Sequence, residues 1–276
     1  MKILSWSRVL TGMAAFAVLL SAAQAASDIL IDVQKGDLPI VISAPHGGSA
    51  DIPGGEEKTE GTTVRDMNTE QLAKLIADRL AERLNGKPHY VIAQFSRRYV
   101  DANRGPGFSE SQAYGGPVSK VQYDAFHNAV RAAVSEIRET SETGLLIDLH
   151  GQSRFPGKMI RGTVNGQTVA SMLDQHGIEA LIGPESIFGK LAEHGFGVEP
   201  PVEDVPESPK DEEHFIGGYI VRAYGSHNAD GIDSIQVEVG RDFRHANVLE
   251  DTAEKIADSI AVYTEKYLLA AEVAAD

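Results

Sequence analysis

The chain has 276 residues, no cysteine, a hydrophobic fraction of 42% and a formal charge of −15. That charge speaks against nucleic acid and anionic lipid as partners. The absence of thiols rules out disulfides, a cysteine nucleophile and a cysteine-held metal, so a metal site here must be built from His, Asp or Glu.

In chain order, the first feature is a leader. Lys2 and Arg8 give a positive start, Val9 to Leu20 is apolar apart from Thr11 and Gly12, and Ala23-Gln24-Ala25 offers small residues to a signal peptidase. The expectation is a signal peptide over residues 1–25, cleaved after Ala25, with export to the periplasm or exterior. The alternative is an uncleaved anchor, but the apolar run is shorter than the ~20 residues that span a bilayer. No later segment is long and apolar enough to span, so no stable membrane association is expected after cleavage. Residues 26–276 then have the length of one large α/β domain.

Strands are expected at Pro39 to Ser43, His89 to Phe95, Leu145 to Leu149 and Ser234 to Val239. Between them lie helical periodicities. Leu72, Leu75, Ile76, Leu80 and Leu84 line one face of a first helix, with Asn68 as its N-cap and Gln71 three residues on. Tyr123, Phe126, Val130, Val134 and Ile137 mark a second, and a third runs from about Leu249 to Leu269 with Ile256, Ile260, Tyr263 and Tyr267 in phase. Strands alternating with helices predict an α/β fold: a central mixed, partly parallel sheet flanked by helices. Glu199 to Glu213, with four prolines, reads as a long loop, and the signals from Phe155 to Phe215 do not order into elements.

Polar groups gather where strands end, which is where open α/β sheets bind ligands. Pro39 to Ser43 runs into Pro45-His46-Gly47-Gly48, Leu145 to Leu149 into His150-Gly151, and Glu238 lies on the last strand. His46 is either a ligand or a turn residue, although its glycines argue for a close backbone approach. His150 is either a ligand or a hydrogen-bonded core histidine, with Asp148 two residues earlier on the same strand face. Glu238 sits among apolar neighbours, where a carboxylate must be functional or paired, the pairing partners being Arg241 or Arg244. Arginines recur in Ser96 to Arg104 (Arg97, Arg98, Arg104) and in Gly217 to Gly225 (Arg222). Each set is either a solvated turn or part of a carboxylate-binding cleft, since guanidinium binds carboxylate bidentately.

Taken together and in this order, Ser43-Ala44-Pro45-His46-Gly47-Gly48, Ser96 to Arg104, Asp148-Leu149-His150, Gly217 to Gly225 and Ile235-Gln236-Val237-Glu238 resemble the N-formylglutamate amidohydrolases. The likeness runs from about Pro39 to Arg244. That family is similar in fold to the zinc carboxypeptidases. The resemblance implies a zinc-dependent amidohydrolase domain with His46, Asp66 and His150 as metal ligands and Glu238 as general base. It also implies that Asn103, Arg104 and Arg222 bind a small carboxylate-bearing substrate; in the mechanism expected from this site, Arg97 assists zinc at the oxyanion. Ser49 stands three residues after His46, so there is no His-x-x-Glu pattern, and Asp51, Glu56, Glu57 and Glu60 compete with Asp66 for the third ligand position. Gly151 stands where the family usually carries serine. Two other functions use the same residues: a periplasmic carboxypeptidase or γ-glutamyl hydrolase, and a non-catalytic binding protein for an acidic metabolite. Serine hydrolysis fits poorly, because no Gly-x-Ser-x-Gly elbow is present.

Overall fold

The computed structural model describes residues 29–105, 109–202 and 212–269. The expected leader over residues 1–25 and its cleavage site lie outside these residues, as does most of the proline-rich loop.

Seven strands form one sheet: β1 (Ile31–Gln34), β2 (Ile40–Ala44), β3 (His89–Ala93), β4 (Leu145–Gln152), β5 (Lys158–Gly162), β6 (Gly197–Glu199) and β7 (Asp233–Gly240), in the order β1-β3-β2-β4-β7-β5-β6. The four central strands, β3, β2, β4 and β7, run parallel. β1 is antiparallel to β3, and β5 is antiparallel to β7 while pairing parallel with β6, so the sheet is mixed as expected.

Four helices matter for the site: α1 (Thr69–Leu84), α2 (Pro117–Thr140), α3 (Tyr219–Tyr224) and α4 (Leu249–Tyr263). Leu72, Ile76 and Leu80 of α1 and Ile256 and Ile260 of α4 share one core with Ile40, Ile42, Ile147 and Val237 of the sheet. Phe126, Val130 and Val134 of α2 and Ile220 of α3 share the second core with Val41, Val91 and Leu146. Alternate strand residues thus serve opposite faces, as pleating requires. A π-helical stretch, Thr264–Leu269, carries α4 on, matching the long last helix expected from its periodicity. Among the described residues no helix is long and apolar enough to cross a membrane.

Asn68 departs from its expected role. It occupies the N-cap position of α1 with φ 66°, but its side chain makes no cap bond. Instead Asn68 Nδ2 donates to the Arg244 carbonyl at 2.6 Å. The Thr69 hydroxyl closes the turn by donating to the Asp66 carbonyl at 2.8 Å. In the left-handed conformation the Asn68 side chain leaves the first turn and ties it to the chain after β7.

Candidate metal centre

The site lies at the carboxyl ends of β2, β4 and β7, on the α2 face. The register sets Ser43 opposite Asp148, Asp148 opposite Gln236 and His150 opposite Glu238. On each strand the same face is apolar or small at its start, as at Val41, Leu146 and Ser234, and polar towards its end. Alternation therefore brings Ser43, Asp148, His150, Gln236 and Glu238 to one patch. His150 lies within β4, which runs three residues beyond the strand end expected at Leu149.

His46 follows β2. The close approach expected at its glycines is real: a β-carbon on Gly47 would lie 2.5 Å from the Glu70 amide nitrogen at the start of α1. The same packing brings in Asp66, whose amide donates to the His46 carbonyl at 3.0 Å.

The candidate ligand atoms converge. His46 Nδ1 lies 3.1 Å from His150 Nδ1. Asp66 Oδ2 lies 3.4 Å from the first and 3.5 Å from the second. All three residues are buried. The competing acids lie elsewhere. Asp51 and Glu57 pair with Arg98, Glu60 accepts from Ser109, and the Glu56 carbonyl accepts from Ser119 beside α2.

The far ring nitrogens are held by carboxylates. His46 Nε2 meets Asp101 Oδ1 at 2.7 Å, and His150 Nε2 meets Asp148 Oδ2 at 2.8 Å. Asp148 is itself fixed by the Ser43 hydroxyl at 2.7 Å. An ionised carboxylate only accepts, so each Nε2 carries the proton and each Nδ1 presents a lone pair. Two imidazole lone pairs and a carboxylate oxygen then face one another, which is repulsive without a cation between them. Ligand atoms bound at ~2.0–2.2 Å to one tetrahedral ion are about 3.3–3.6 Å apart; both Asp66 separations fall in that range, and the 3.1 Å between the imidazoles is slightly shorter. His46, Asp66 and His150 form a buried group able to hold a metal ion.

The electrostatics agree. Burial pushes the Asp66 carboxyl up, but its interactions with the His150 and His46 imidazoles outweigh it and hold the group well below the usual range. Burial likewise raises Asp101, and the attraction of His46, Arg97 and Arg104 overcomes it. Burial pulls the His150 imidazole down, yet Asp148 and Asp66 hold it well above its ordinary value. The pocket draws positive charge.

Glu238 lines the cleft above this group, and its carboxylate accepts from Gln236 Nε2 at 3.0 Å. It has no ion pair with Arg241 or Arg244. Arg241 meets Asp242, and Arg244 donates to the carbonyls of Val239 (3.0 Å), Gln152 (3.3 Å) and Met67. The Arg244 guanidinium thereby fills the space beside Gly151, where a β-carbon would lie 2.7 Å from its Nε. The Gly151 amide donates to Asp66 Oδ2 at 3.1 Å. Burial pushes the Glu238 carboxyl up to about 7; His150 pulls against this, and Asp66 and Asp148 reinforce it.

The remaining predicted residues divide. Arg97 lines the cleft, but its guanidinium is engaged: Nε and Nη2 meet Asp101 Oδ2 at 3.0 and 2.9 Å, and Nη1 reaches Asp66 Oδ1 at 3.5 Å. Asn103 is buried, donates to Gln236 Oε1 at 3.2 Å and accepts from the Ile220 amide at 2.9 Å, so it braces the wall. Arg104 lines the cleft. The structure does not bring Arg222 there. α3 buries Ile220, Val221 and Tyr224, which turns Arg222 outward, where its Nε donates to the Gly217 carbonyl at 3.2 Å. Asp101 is one residue that sequence reasoning missed. It stood inside the Arg97–Arg104 run, and only its 2.7 Å contact with a histidine 55 positions away reveals its part. Lys58 was also missed: its ammonium lies 3.9 Å from Asp101 Oδ2 and donates to the Thr62 carbonyl at 2.7 Å.

No protein-family model and no curated protein matches the chain. Solved structures do. The chain is similar to N-formylglutamate amidohydrolase from Ralstonia eutropha, with a TM-score of 0.62 and 14% identity over 87% of this chain and 98% of that one. It is also similar to a gene product from Agrobacterium tumefaciens, with a TM-score of 0.57 and 14% identity over 90% of this chain and 96% of that one. The chain shares their fold over nearly their whole length.

Proposed function

We propose that this protein is a zinc-dependent amidohydrolase acting on an N-formyl- or N-acyl-amino acid. The observation that carries the reading is the pairing of a buried His–Asp–His group with a lone carboxylate, Glu238, held across the sheet register from His150 and facing the same cleft. The five motif segments and the fold shared with the Ralstonia eutropha amidohydrolase support it.

His46, Asp66 and His150 would hold the zinc, which supplies Lewis acidity for the attack of water on an amide carbonyl. Glu238 takes a proton from the attacking water and delivers it to the leaving amine nitrogen, so that one water is consumed and a carboxylate and an amine are released. A carboxyl raised to about 7 is suited to both halves of that exchange. Asp101 and Asp148 keep the two imidazoles in the ligating tautomer. Arg97 holds Asp101 and Asp66, and is a positioning residue. Arg104 meets the substrate carboxylate. The leader read in residues 1–25 makes the periplasm or the exterior the compartment proposed for this reaction.

The test is metal analysis of purified protein followed by a panel of N-formylglutamate, other N-acyl amino acids, γ-glutamyl peptides and short peptides. The reading predicts about one zinc per chain and hydrolysis of an acyl amino acid that stops on chelation. Hydrolysis of peptides alone would make the protein a carboxypeptidase. Binding without hydrolysis in the zinc-loaded protein would make it a binding protein.

A further inference from the structure

The cleft over the His46–Asp66–His150 group has a volume of about 490 Å³. That is the size of a site for a drug-sized ligand. A formyl group, a single carbon with its oxygen, occupies little of it. The wall is also unusual in character. Val64, Phe215 and Ile216 all line the cleft, yet they are 70%, 36% and 37% exposed. Apolar groups left in water at the wall of a cleft mark a surface that a ligand covers.

These three side chains come from two loops, both tied to the chemistry. Val64 precedes the ligand Asp66 by two residues, and its carbonyl accepts from Arg97 Nη1 at 3.3 Å. Phe215 and Ile216 lead into Gly217-Gly218, whose second amide donates to Gln236 Oε1 at 2.8 Å. Phe215 has φ 52°, in the left-handed region that residues with a side chain seldom occupy. The conformation is imposed by its surroundings: the Val164 amide donates to the Ile216 carbonyl at 2.6 Å, and Gly162 packs against the Phe215 carbonyl. A backbone held in this way is found at ligand clamps.

The charged end is provided for as well. Arg154 lines the same cleft, with its guanidinium 5.2 Å from the centre of the Phe155 ring. Among the described residues no carboxylate lies within ion-pair distance of it.

We infer that the substrate is an amino acid N-acylated by an apolar group of several carbons, with Val64, Phe215 and Ile216 gripping the acyl chain and Arg154 joining Arg104 at the carboxylate. This rests on the amidohydrolase reading and narrows it away from formyl substrates. Hydrolysis releases a fatty or aryl carboxylate and a free amino acid.

The experiment measures binding and turnover separately along one series: the N-formyl, N-acetyl, N-butanoyl, N-hexanoyl and N-octanoyl derivatives of glutamate. Calorimetry on zinc-loaded Glu238→Gln protein gives Kd, and wild type gives kcat/KM. Affinity should rise by up to about three- to fourfold per added methylene before levelling off. The dependence should flatten in a Val64→Ser/Phe215→Ser protein with unchanged circular dichroism. Affinity that is flat or falls beyond formyl overturns the inference, as does a slope that survives both substitutions. Formylglutamate turned over best with a flat series leaves the amidohydrolase reading intact and removes this one. A steep series with no turnover in wild type removes the amidohydrolase reading and, with it, the assignment of these compounds as substrates. Should the double variant misfold, the wild-type slope decides.

Discussion

The Nδ1 atoms of His46 and His150 face each other at 3.1 Å while Asp101 and Asp148 hold the protons on the opposite ring nitrogens. The two carboxylates thereby determine whether the imidazoles can ligate. Replacing either with Asn supplies an amide that donates to Nε2, which moves the ring proton onto Nδ1 and blocks it. Asp101→Asn and Asp148→Asn should each weaken zinc binding about 10- to 100-fold, measured by competition against a chromophoric chelator. Wild-type affinity in both variants would show that the carboxylates only fill space.

Glu238→Gln preserves shape and removes the proposed base. Zinc content should hold while kcat falls by about 10²–10⁴. The base must be ionised to act, so kcat/KM in wild type should fall as pH drops through the pKa of Glu238, which is about 7 without a metal. A cation at the triad favours the carboxylate and shifts that limb lower. The variant should lack the limb. A folded, zinc-replete Glu238→Gln protein with near-normal kcat would remove Glu238 from the mechanism.

Arg104 lines the cleft and Arg222 does not. Loss of a charged hydrogen bond is worth about 1.5–3 kcal/mol, so Arg104→Ala should raise KM for carboxylate substrates roughly 10- to 100-fold. Arg222→Ala should leave KM within about twofold. Equal effects of the two substitutions would contradict this division.

His127 of α2 is buried, with Nε2 donating to the Ala102 carbonyl at 2.9 Å and Nδ1 meeting the Tyr224 hydroxyl at 3.0 Å. Burial pushes its imidazole down from 6.5 to about 4. Between those values the unfolded chain binds a proton that the folded one refuses. The contribution is therefore complete above pH 6.5 and drains as pH falls towards 4, by up to about 3 kcal/mol. Urea unfolding at pH 7 and 4.5 should show a larger acid loss for wild type than for His127→Gln. Identical losses would place the acid sensitivity elsewhere.

The central strands and long helices were legible because their residues obey one period each. Ile40-Val41-Ile42 and Leu145-Leu146-Ile147 are buried on both faces and read as continuous apolar runs. The edge strands β1 and β6, and β5 beside the latter, do not obey it. β1 is half-buried, β6 has three residues, and β5 carries Arg161, fully buried only because Glu212 meets its Nε at 3.1 Å. No local pattern announces a partner 51 residues away. The site divides in the same way. His46, His150 and Glu238 stood out because polar groups interrupt apolar strands, and Asp66 was proposed by resemblance. Asp101 and Lys58 act through contacts that only the folded chain creates. The basic character of the Gly217–Gly225 loop suggested a binder in Arg222, but helix phase turned it outward.

Arg244 and Gly151 occupy one space. A β-carbon at 151 would lie 2.7 Å from Arg244 Nε, and three carbonyls from separate parts of the chain keep the guanidinium from yielding. The two positions therefore constrain each other sterically: a side chain at 151 requires Arg244 to move. A serine at 151 fits only if the Arg244 guanidinium gives up its place against these carbonyls. With Arg244 in place, the same substitution pushes on the segment that presents Asp66.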